Sequence, residues 1–372
     1  MKSNQFKKTA IAAAFTAAGL LPATAAHAGG TITWGEDKSV SLGLGMRSSF
    51  SSVEGGAANG SRAENIGLDS VRIYMGGSLN KYIKGTFNTE KNGDTITLLD
   101  GYAQFEFMDE FNVWVGRMLP PSDRSNLDGP YYLSNWVYPT APYYPAIFAG
   151  RDDGATVWGK MLDKKLVYAL GVFKGHNRAA GASNQSSSLL WAGRIAYNFL
   201  DAEPNPAYYT SSTYYGSVDV LTLAFAGQYQ KNGVGTALLP GDYTEWNADL
   251  LFEKKLDFGV VTLEGAYYDV STQGVVDTVL PGTNTGGITA GDAFLVSGAY
   301  MFPEKVGWGF VQPYGRYQEL DPDVGLKTKQ YDIGANYVID GHNARISLDY
   351  TAAKVGTGSY KDSFIIGVQL QF

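Results

Sequence analysis

The chain contains 372 residues, among them 46 Gly, 25 Tyr and 18 Phe, and its formal net charge at pH 7 is -7. It has no cysteine, which excludes a disulfide scaffold, a thiolate metal site and a cysteine nucleophile. The acidic balance argues against nucleic acid as a partner. No apolar run reaches the roughly 18 residues that a membrane helix needs.

The first 28 residues have the pattern of a secretory signal peptide. Three lysines within the first eight residues precede an Ala- and Leu-rich stretch, and Ala-His-Ala at 26–28 supplies a small-x-small cleavage site. A membrane anchor is the alternative, but the apolar run is short for a span. We predict cleavage after Ala28 and one mature domain over 29–372. Losing three lysines and no acids changes the formal charge from -7 to -10.

Sixteen segments of the mature chain alternate apolar residues with polar or small ones, and a period of two predicts β-strands. In the last segment, Phe364, Ile366 and Val368 share one face, opposite Gly367 and Gln369. Such a strand suits either a soluble sheet or a wall between lipid and a water-filled lumen. The segments are 39–50, 68–79, 82–90, 97–107, 111–117, 151–160, 165–174, 189–199, 217–230, 243–254, 258–270, 292–302, 307–319, 329–339, 343–352 and 362–372.

The connections between these segments alternate in length. Those after even-numbered strands are short, whereas most of those after odd-numbered strands are longer and rich in Gly, Ser, Thr and Asn. This sorting predicts an all-β, up-and-down antiparallel transmembrane barrel of sixteen strands, with periplasmic turns and external loops. Leu200 to Gly216 is the exception, because it is long on the short-turn side. It predicts an extended periplasmic segment or a miscounted strand pair.

The longest connection, Met118 to Gly150, is the third external loop of such a barrel. Its prolines and tyrosines make it stiff and give it packing area. More than thirty residues without regular structure suggest order for function. We favour a loop that folds into the lumen and narrows the pore over a rigid external cap. The candidate constriction residues are Arg117, Asp123, Arg124, Asp128, Tyr131, Tyr132 and Trp136.

Charged residues on the predicted inner faces form two groups about half a circumference apart. Arg47, Arg72 and Lys84 form a basic wall on the first three strands. Two readings are open: a transverse field between the walls that favours dipolar solutes, and charges that only keep the lumen wet. Arg151, Asp152 and Asp153 either tie the loop base to the wall or contact solute. The acidic wall, on strands ten and eleven, consists of Glu245, Asp249, Glu253 and Glu264.

No catalytic, metal-binding or cofactor-binding pattern emerges. The two histidines of the mature chain, His176 and His342, fall in a predicted loop and a predicted turn, without a neighbouring serine and acid. No glycine-rich phosphate loop and no metal-ligand spacing is present. We therefore predict neither an enzyme nor a cofactor.

Several stretches together resemble the porin O and P family of outer-membrane channels, and the closing Phe372 resembles the assembly signal of bacterial outer-membrane proteins. The resemblance runs over nearly the whole mature chain, and the order of the motifs carries it. The stretches are 68–77, 100–103, 113–117, 151–154, 168–175, 312–318 and 331–345.

The resemblance implies a sixteen-stranded homotrimeric diffusion channel with the third loop inside each pore. Phosphate-selective members carry a ladder of lumen arginines and lysines, whereas this chain has only Arg124 as a cation between Arg117 and Arg151. We predict a bacterial outer-membrane porin that contacts lipid and passes small hydrophilic solutes and ions. The alternatives are a channel selective for anions, phosphate or short-chain amides and urea, and a structural sheath or adhesin barrel.

Overall fold

The computed structural model describes residues 29–140, 149–175, 188–235, 240–275 and 288–372. The predicted signal peptide, His176 and residues 141–148 of the long loop lie outside these ranges. The described residues form antiparallel strands and a short helix, α1 (Arg124–Tyr132). The strands are β1 (Gly29–Trp34), β2 (Lys38–Val53), β3 (Ala63–Ser78), β4 (Ile83–Asn92), β5 (Thr95–Met108), β6 (Phe111–Met118), β7 (Asp152–Met161), β8 (Leu166–Phe173), β9 (Leu190–Asn198), β10 (Val220–Gly235), β11 (Pro240–Leu256), β12 (Gly259–Ser271), β13 (Gly291–Met301), β14 (Phe310–Pro322), β15 (Thr328–Asp340), β16 (Ala344–Val355) and β17 (Lys361–Gln371).

Strands β2 to β17 close into a ring, which confirms the predicted sixteen-stranded antiparallel barrel. Each strand pairs with the next one in the chain, and β17 returns to pair with β2 from Ser363 opposite Val53 to Gln371 opposite Gly45. The backbones of Leu44 and Phe372 extend this closure with two hydrogen bonds of 2.9 and 2.8 Å. A closed ring leaves no unpaired sheet edge.

Strand β1 was not predicted, and it is not one of the sixteen strands that close the ring. It pairs with the first part of β2, from Gly29 opposite Gly43 to Trp34 opposite Lys38. Gly35, with φ of +67°, begins the hairpin turn between the two strands. The pattern missed β1 because its six residues begin with two glycines and give too short an alternation.

The two faces of the wall have the polarity that the alternation predicts. On β11, Glu245, Asn247 and Asp249 are almost fully buried inside, whereas Trp246 and Leu250 are each 37% exposed outside. Apolar side chains therefore face outwards and polar ones inwards, the reverse of a soluble core.

Strands β6 to β8 do not show the clear alternation of the other strands, because their inward faces carry large apolar side chains. Trp114, Trp158 and Phe173 point inwards and form a buried apolar cluster, which Tyr208 joins from a connecting segment. Apolar residues consequently occupy both faces of these strands, so the alternation of apolar and polar residues is weak.

Many links follow the predicted alternation in length, but several depart from it, two of them clearly. The link after β4 is a two-residue turn, Gly93-Asp94, although it lies at the long-loop end. The link from 199 to 219, between β9 and β10, is long at the short-turn end, as predicted.

Within the described ranges, no helix is long and apolar enough to cross a membrane.

We predict that deleting Lys361–Phe372 prevents barrel closure, because β17 alone joins β16 to β2. Refolding from urea into detergent micelles should then yield no compact, heat-modifiable band on gels. Deleting Gly29–Trp34 is the matched control and should leave that band, since β1 pairs only with β2. A folded band from the first deletion would contradict the ring.

Candidate functional site in the barrel interior

The β6–β7 loop, described over 119–140, begins with two prolines and a capped helix. The Asp123 side chain accepts a hydrogen bond from the Asn126 backbone N at 3.2 Å and so caps the start of α1. Gly129, with φ of +59°, and Pro130 kink the helix near its end. The sequence therefore gives a short, bent helix between irregular segments.

Interior-facing side chains from widely separated strands hold the backbone of this loop. Arg194 of β9 donates to the Ser122 carbonyl at 3.0 Å, and Arg47 of β2 donates to the Trp136 carbonyl at 2.8 Å. The other donors are Gln228 to Pro121 at 3.1 Å, Gln369 to Tyr131 at 2.9 Å, Arg345 to Leu133 at 2.7 Å, Asn336 to Ser134 at 2.8 Å and Arg316 to Val137 at 2.9 Å. The loop thus has partners on both sides of the ring.

Aromatic residues of the loop pack against basic side chains of the wall. The central carbon of the Arg47 guanidinium lies 3.9 Å from the ring centroid of Trp136. Trp136 also packs against Gly367, where an added Cβ would lie 2.4 Å from the indole ring. Tyr131 lies under Arg72 at 5.0 Å, and its hydroxyl is 2.9 Å from Ser70 Oγ. Both contacts combine apolar area with cation–π attraction.

The β9–β10 link, residues 199–219, also turns into the interior. Thr213 is fully buried, and Ser211 and Ser212 are 2% and 1% exposed. The ring lacks no strand pair, and the link does not extend away from the wall. The expectation of a miscounted strand pair was therefore wrong, and the long segment expected at this end folds into the interior. Its carbonyls and hydroxyls find partners inside the barrel, which is why a polar segment can be buried there.

Arg124 joins the β6–β7 loop to the β9–β10 link. Its guanidinium donates to Glu203 Oε1 at 2.7 Å, to Glu203 Oε2 at 2.9 Å and to the Ser211 carbonyl at 2.9 Å. Thr210 Oγ1 donates back to the Arg124 carbonyl at 3.0 Å. Burial opposes ionisation of Glu203, but the charge and hydrogen bonds of Arg124 outweigh it and lower the pKa of that carboxyl.

A second set of contacts joins the same two segments. Ser212 Oγ donates to Asp128 Oδ2 at 2.6 Å, and the Ser212 backbone N donates to the Tyr132 carbonyl at 3.1 Å. Burial raises the pKa of Asp128 well above its ordinary value, against the opposing charge of Arg124. Tyr208 OH donates to the Leu119 carbonyl at 2.8 Å. The loop and the link therefore form one hydrogen-bonded assembly, which we call the interior assembly (119–140 and 199–219).

The charges predicted to form two walls have close partners in the structure. On the basic side, Arg72 is paired with Glu90, and Lys84 Nζ lies 2.6 Å from Glu106 Oε2. The partners on the acidic side are Tyr243 for Glu245, Arg194 for Asp249, and Thr213, Thr262 and the backbone N of Tyr214 and Gly216 for Glu253. Glu264 acts on Asp128 as a like charge and is not its partner. Opposite charges compensate Arg72, Lys84 and Asp249, whereas Arg47 donates to the Trp136 carbonyl, and Glu245 and Glu253 accept hydrogen bonds from uncharged groups. Pairing therefore weakens the field between the walls in part.

The predicted constriction residues separate into two groups. Asp123, Arg124, Asp128, Tyr131, Tyr132 and Trp136 all belong to the interior assembly, with Asp123 accepting a hydrogen bond from Tyr268 OH at 2.6 Å. Arg117 is apart from them. It shares the outward parity of Val115 on β6 and pairs with Asp153 at 2.8 Å. At the base of the loop, Arg151 contacts Asp100 at 3.0 Å.

A cavity of about 600 Å³ lies between the interior assembly and strands β2 to β6. Wall residues such as Arg72, Lys84 and Gln104 line one side, and Asp128, Tyr132 and Tyr209 of the interior assembly line the other. Its volume is in the range of sites for small molecules. No cluster of three or more acidic or histidine side chains suited to a metal occurs in the described residues.

His342, which we assigned only to a turn, helps to hold the interior assembly. Its ring lies between Tyr132 and Tyr215, with centroids 5.0 and 4.8 Å away, and its Nε2 is 2.9 Å from the Thr213 carbonyl. Burial and the nearby charge of Arg345 lower the pKa of His342 to about 3. The imidazole is consequently neutral at ordinary pH. No local sequence signal marks this role.

Comparisons with solved structures agree with this architecture. OprB of Pseudomonas putida superposes with a TM-score of 0.60 at 9% identity, covering 90% of this chain and 94% of OprB. The outer membrane channel DcaP of Acinetobacter baumannii gives 0.54 at 12%, covering 90% and 98%. A mutant of Rh. blastica porin gives 0.52 at 14%, covering 90% and 100%. The chain has a porin-type fold. No protein-family model and no curated protein matches its sequence.

We predict that Glu203→Ala lowers the free energy of unfolding by about 3–5 kcal/mol, because it leaves the buried Arg124 guanidinium without its main partner. Urea titrations in detergent, followed by tryptophan fluorescence, would measure this. Asp109→Ala is the control, since Asp109 pairs with Lys164 in solvent. Equal effects of the two substitutions would contradict the importance of Arg124.

We predict that His342 lowers stability as the pH falls from about 6.5 towards 3. Over that interval the unfolded chain binds a proton that the buried ring does not, so stability rises with pH. His342→Gln cannot titrate, and its stability should therefore depend less steeply on pH over this range than that of the natural protein. Stability would be measured against pH for both proteins. Profiles of equal slope would contradict the prediction, because they would mean that His342 binds a proton in the folded state over this range.

Proposed function

We propose that this protein is a bacterial outer-membrane porin, a passive diffusion channel for small hydrophilic solutes and ions. The observation that carries the proposal is a closed sixteen-stranded ring whose outer face is apolar and whose inner face is polar. Such a wall can stand in hydrocarbon because every strand is paired. Export would follow cleavage of the predicted signal peptide after Ala28. No catalytic step and no cofactor is part of the proposal.

The interior assembly would form the constriction of this channel. Asp128 and Tyr132 of the β6–β7 loop line the cavity directly. Asp123, Arg124, Tyr131 and Trp136 would act indirectly, by fixing the loop to the link and to the wall. Arg117 would have no part in the constriction, because it lies on the outward face.

The pairing of the lining charges supports weak ion selectivity. Arg72, Lys84 and Arg151 are each compensated by a carboxylate of β4 or β5, so the described lining of the cavity offers no row of uncompensated cations for phosphate. Membership of the porin O and P family is proposed on the motif resemblance, and a homotrimer on that resemblance together with the trimer form of OmpT of Vibrio cholerae, a structural neighbour. A solute-selective channel for short-chain amides or urea remains the second candidate, because an electrically balanced lining suits uncharged polar molecules.

A sheath or adhesin is less well supported than a channel. A sheath needs an open lumen for its partner, whereas the interior assembly occupies much of this one. Buried side chains such as Asn336, Arg345 and Ser347 on the inner wall show this, since each is 0% exposed.

We predict discrete channel openings when the purified protein is inserted into planar lipid bilayers. Replacing 124–138 by a short Gly-Ser linker should raise the conductance about twofold or more, because it removes α1 and the residues packed on the wall. Deleting Gly55 to Ser61 from the largely exposed β2–β3 loop is the control and should leave the conductance unchanged.

Absence of openings from folded protein would refute the channel. Unchanged conductance in the 124–138 variant would refute the constriction but not the channel. A reversal potential in a salt gradient close to zero would fit weak selectivity, and a strong anion preference would favour the selective alternative.

A further inference from the structure

We propose that solutes cross this barrel along an off-axis path against strands β2 to β6, and that the β9–β10 link forms part of the inner wall of that path. The inference rests on the proposed channel function and goes beyond it. It assigns the passage to one part of the lumen, and it gives a segment from the short-turn end a role in pore size.

The opposite part of the lumen is filled. Inward side chains of β14 to β17 that face the interior assembly are packed to exclude solvent, and Gln312, Asn336, Ser347 and Gln369 are each 0% exposed. Three of them hydrogen-bond within this region: Asn336 to the Ser134 carbonyl, Gln369 to the Tyr131 carbonyl and Ser347 to Asn336. No space for a solute remains where loop and wall share hydrogen bonds.

The side of β2 to β6 is open by contrast. The cavity of about 600 Å³ is lined there by Ser41, Thr86 and Gln104, which are only partly buried although they have the same inward parity. Arg72, Asp100 and Arg151 also line the cavity. Within the residues that the structure describes, the interior assembly thus leaves open space on the side of β2 to β6.

The β9–β10 link supplies Asn205, Tyr209 and Thr210 to this cavity. It is held firmly there. Asn205 Nδ2 donates to the Thr210 carbonyl at 3.0 Å, and Lys160 Nζ donates to the Asn205 carbonyl at 2.6 Å. A fixed aromatic side chain at the edge of a passage sets its width, so Tyr209 is the residue that we assign as a determinant of pore size.

The electrical character of the path follows from its lining. Lys84 pairs with Glu106, Arg72 with Glu90 and Arg151 with Asp100, so opposite charges stand side by side along the wall. Such a lining offers hydrogen-bond donors and acceptors without a net charge of one sign. The path therefore suits small uncharged or zwitterionic polar solutes.

Cysteine substitution tests the path, because the chain has no natural cysteine. Thr86→Cys and Gln104→Cys place a thiol on the open side, and Gln312→Cys and Ser347→Cys place one on the filled side. A cationic, membrane-impermeant methanethiosulfonate is added during bilayer recording. We expect the current to fall by about half or more in the first pair and to stay unchanged in the second.

Block in the second pair, in all four variants, or in none would overturn the off-axis path. Failure of the unsubstituted protein to conduct would instead overturn the channel function itself, so the two failures are distinguishable.

Paired substitutions at Tyr209 test the role of the link. Tyr209→Ala should raise the single-channel conductance and Tyr209→Trp should lower it, because the two changes widen and narrow the same passage. A side chain that only stabilises the fold would shift both variants in the same direction. Conductance that moves the same way in both, or in neither, would remove Tyr209 from the path.

Discussion

The closed ring of backbone hydrogen bonds is the constraint on which the rest of the structure depends. Sixteen strands pair in order and β17 returns to β2, so no strand edge needs another partner. With the backbone satisfied, side chains are free to be apolar outside and polar inside. The same closure creates an enclosed space, and the chain fills part of that space with its own segments.

Buried ionic contacts determine how that space is filled. Arg124 pairs with Glu203 of the β9–β10 link and lies 3.5 Å from Asp249 of the wall. Arg194 shares Asp249. An unpaired charge in this position would be costly, so each partner requires the others to be in place. The interior assembly is therefore specified by charge pairing and not by apolar packing alone, and it leaves the side of β2 to β6 open.

The sequence predicted the wall well because its signal repeats along every strand. A two-residue period in β11 or β17 is enough to assign both the strand and its faces. Strand β1 was not predicted because it is short. The inward turn of the β9–β10 link was not predicted because a run such as Thr210 to Thr213 has the composition of a surface loop. Its position at the short-turn end and its four tyrosines were the available signals.

The functional residues were predicted less well than the wall, for a physical reason. Alternation shows that Lys84 and Arg72 point inwards, but it cannot show that Glu106 and Glu90 on neighbouring strands neutralise them, since that depends on register. The direction of the Arg117 side chain was not predicted either. Arg117 lies at the end of β6, and the alternation there did not show that its side chain points outwards. Long-range pairs such as Arg124 with Glu203 are separated by 79 residues and have no local pattern.

The central claim is that a hydrophilic passage persists beside the interior assembly. Swelling of liposomes that contain the folded protein, in isotonic solutions of uncharged solutes of graded size, tests it most directly. The account predicts fast swelling with the smallest solutes and a steep decline as the solute approaches the dimensions of the cavity. Absence of swelling with any solute would contradict it, because the interior would then be closed.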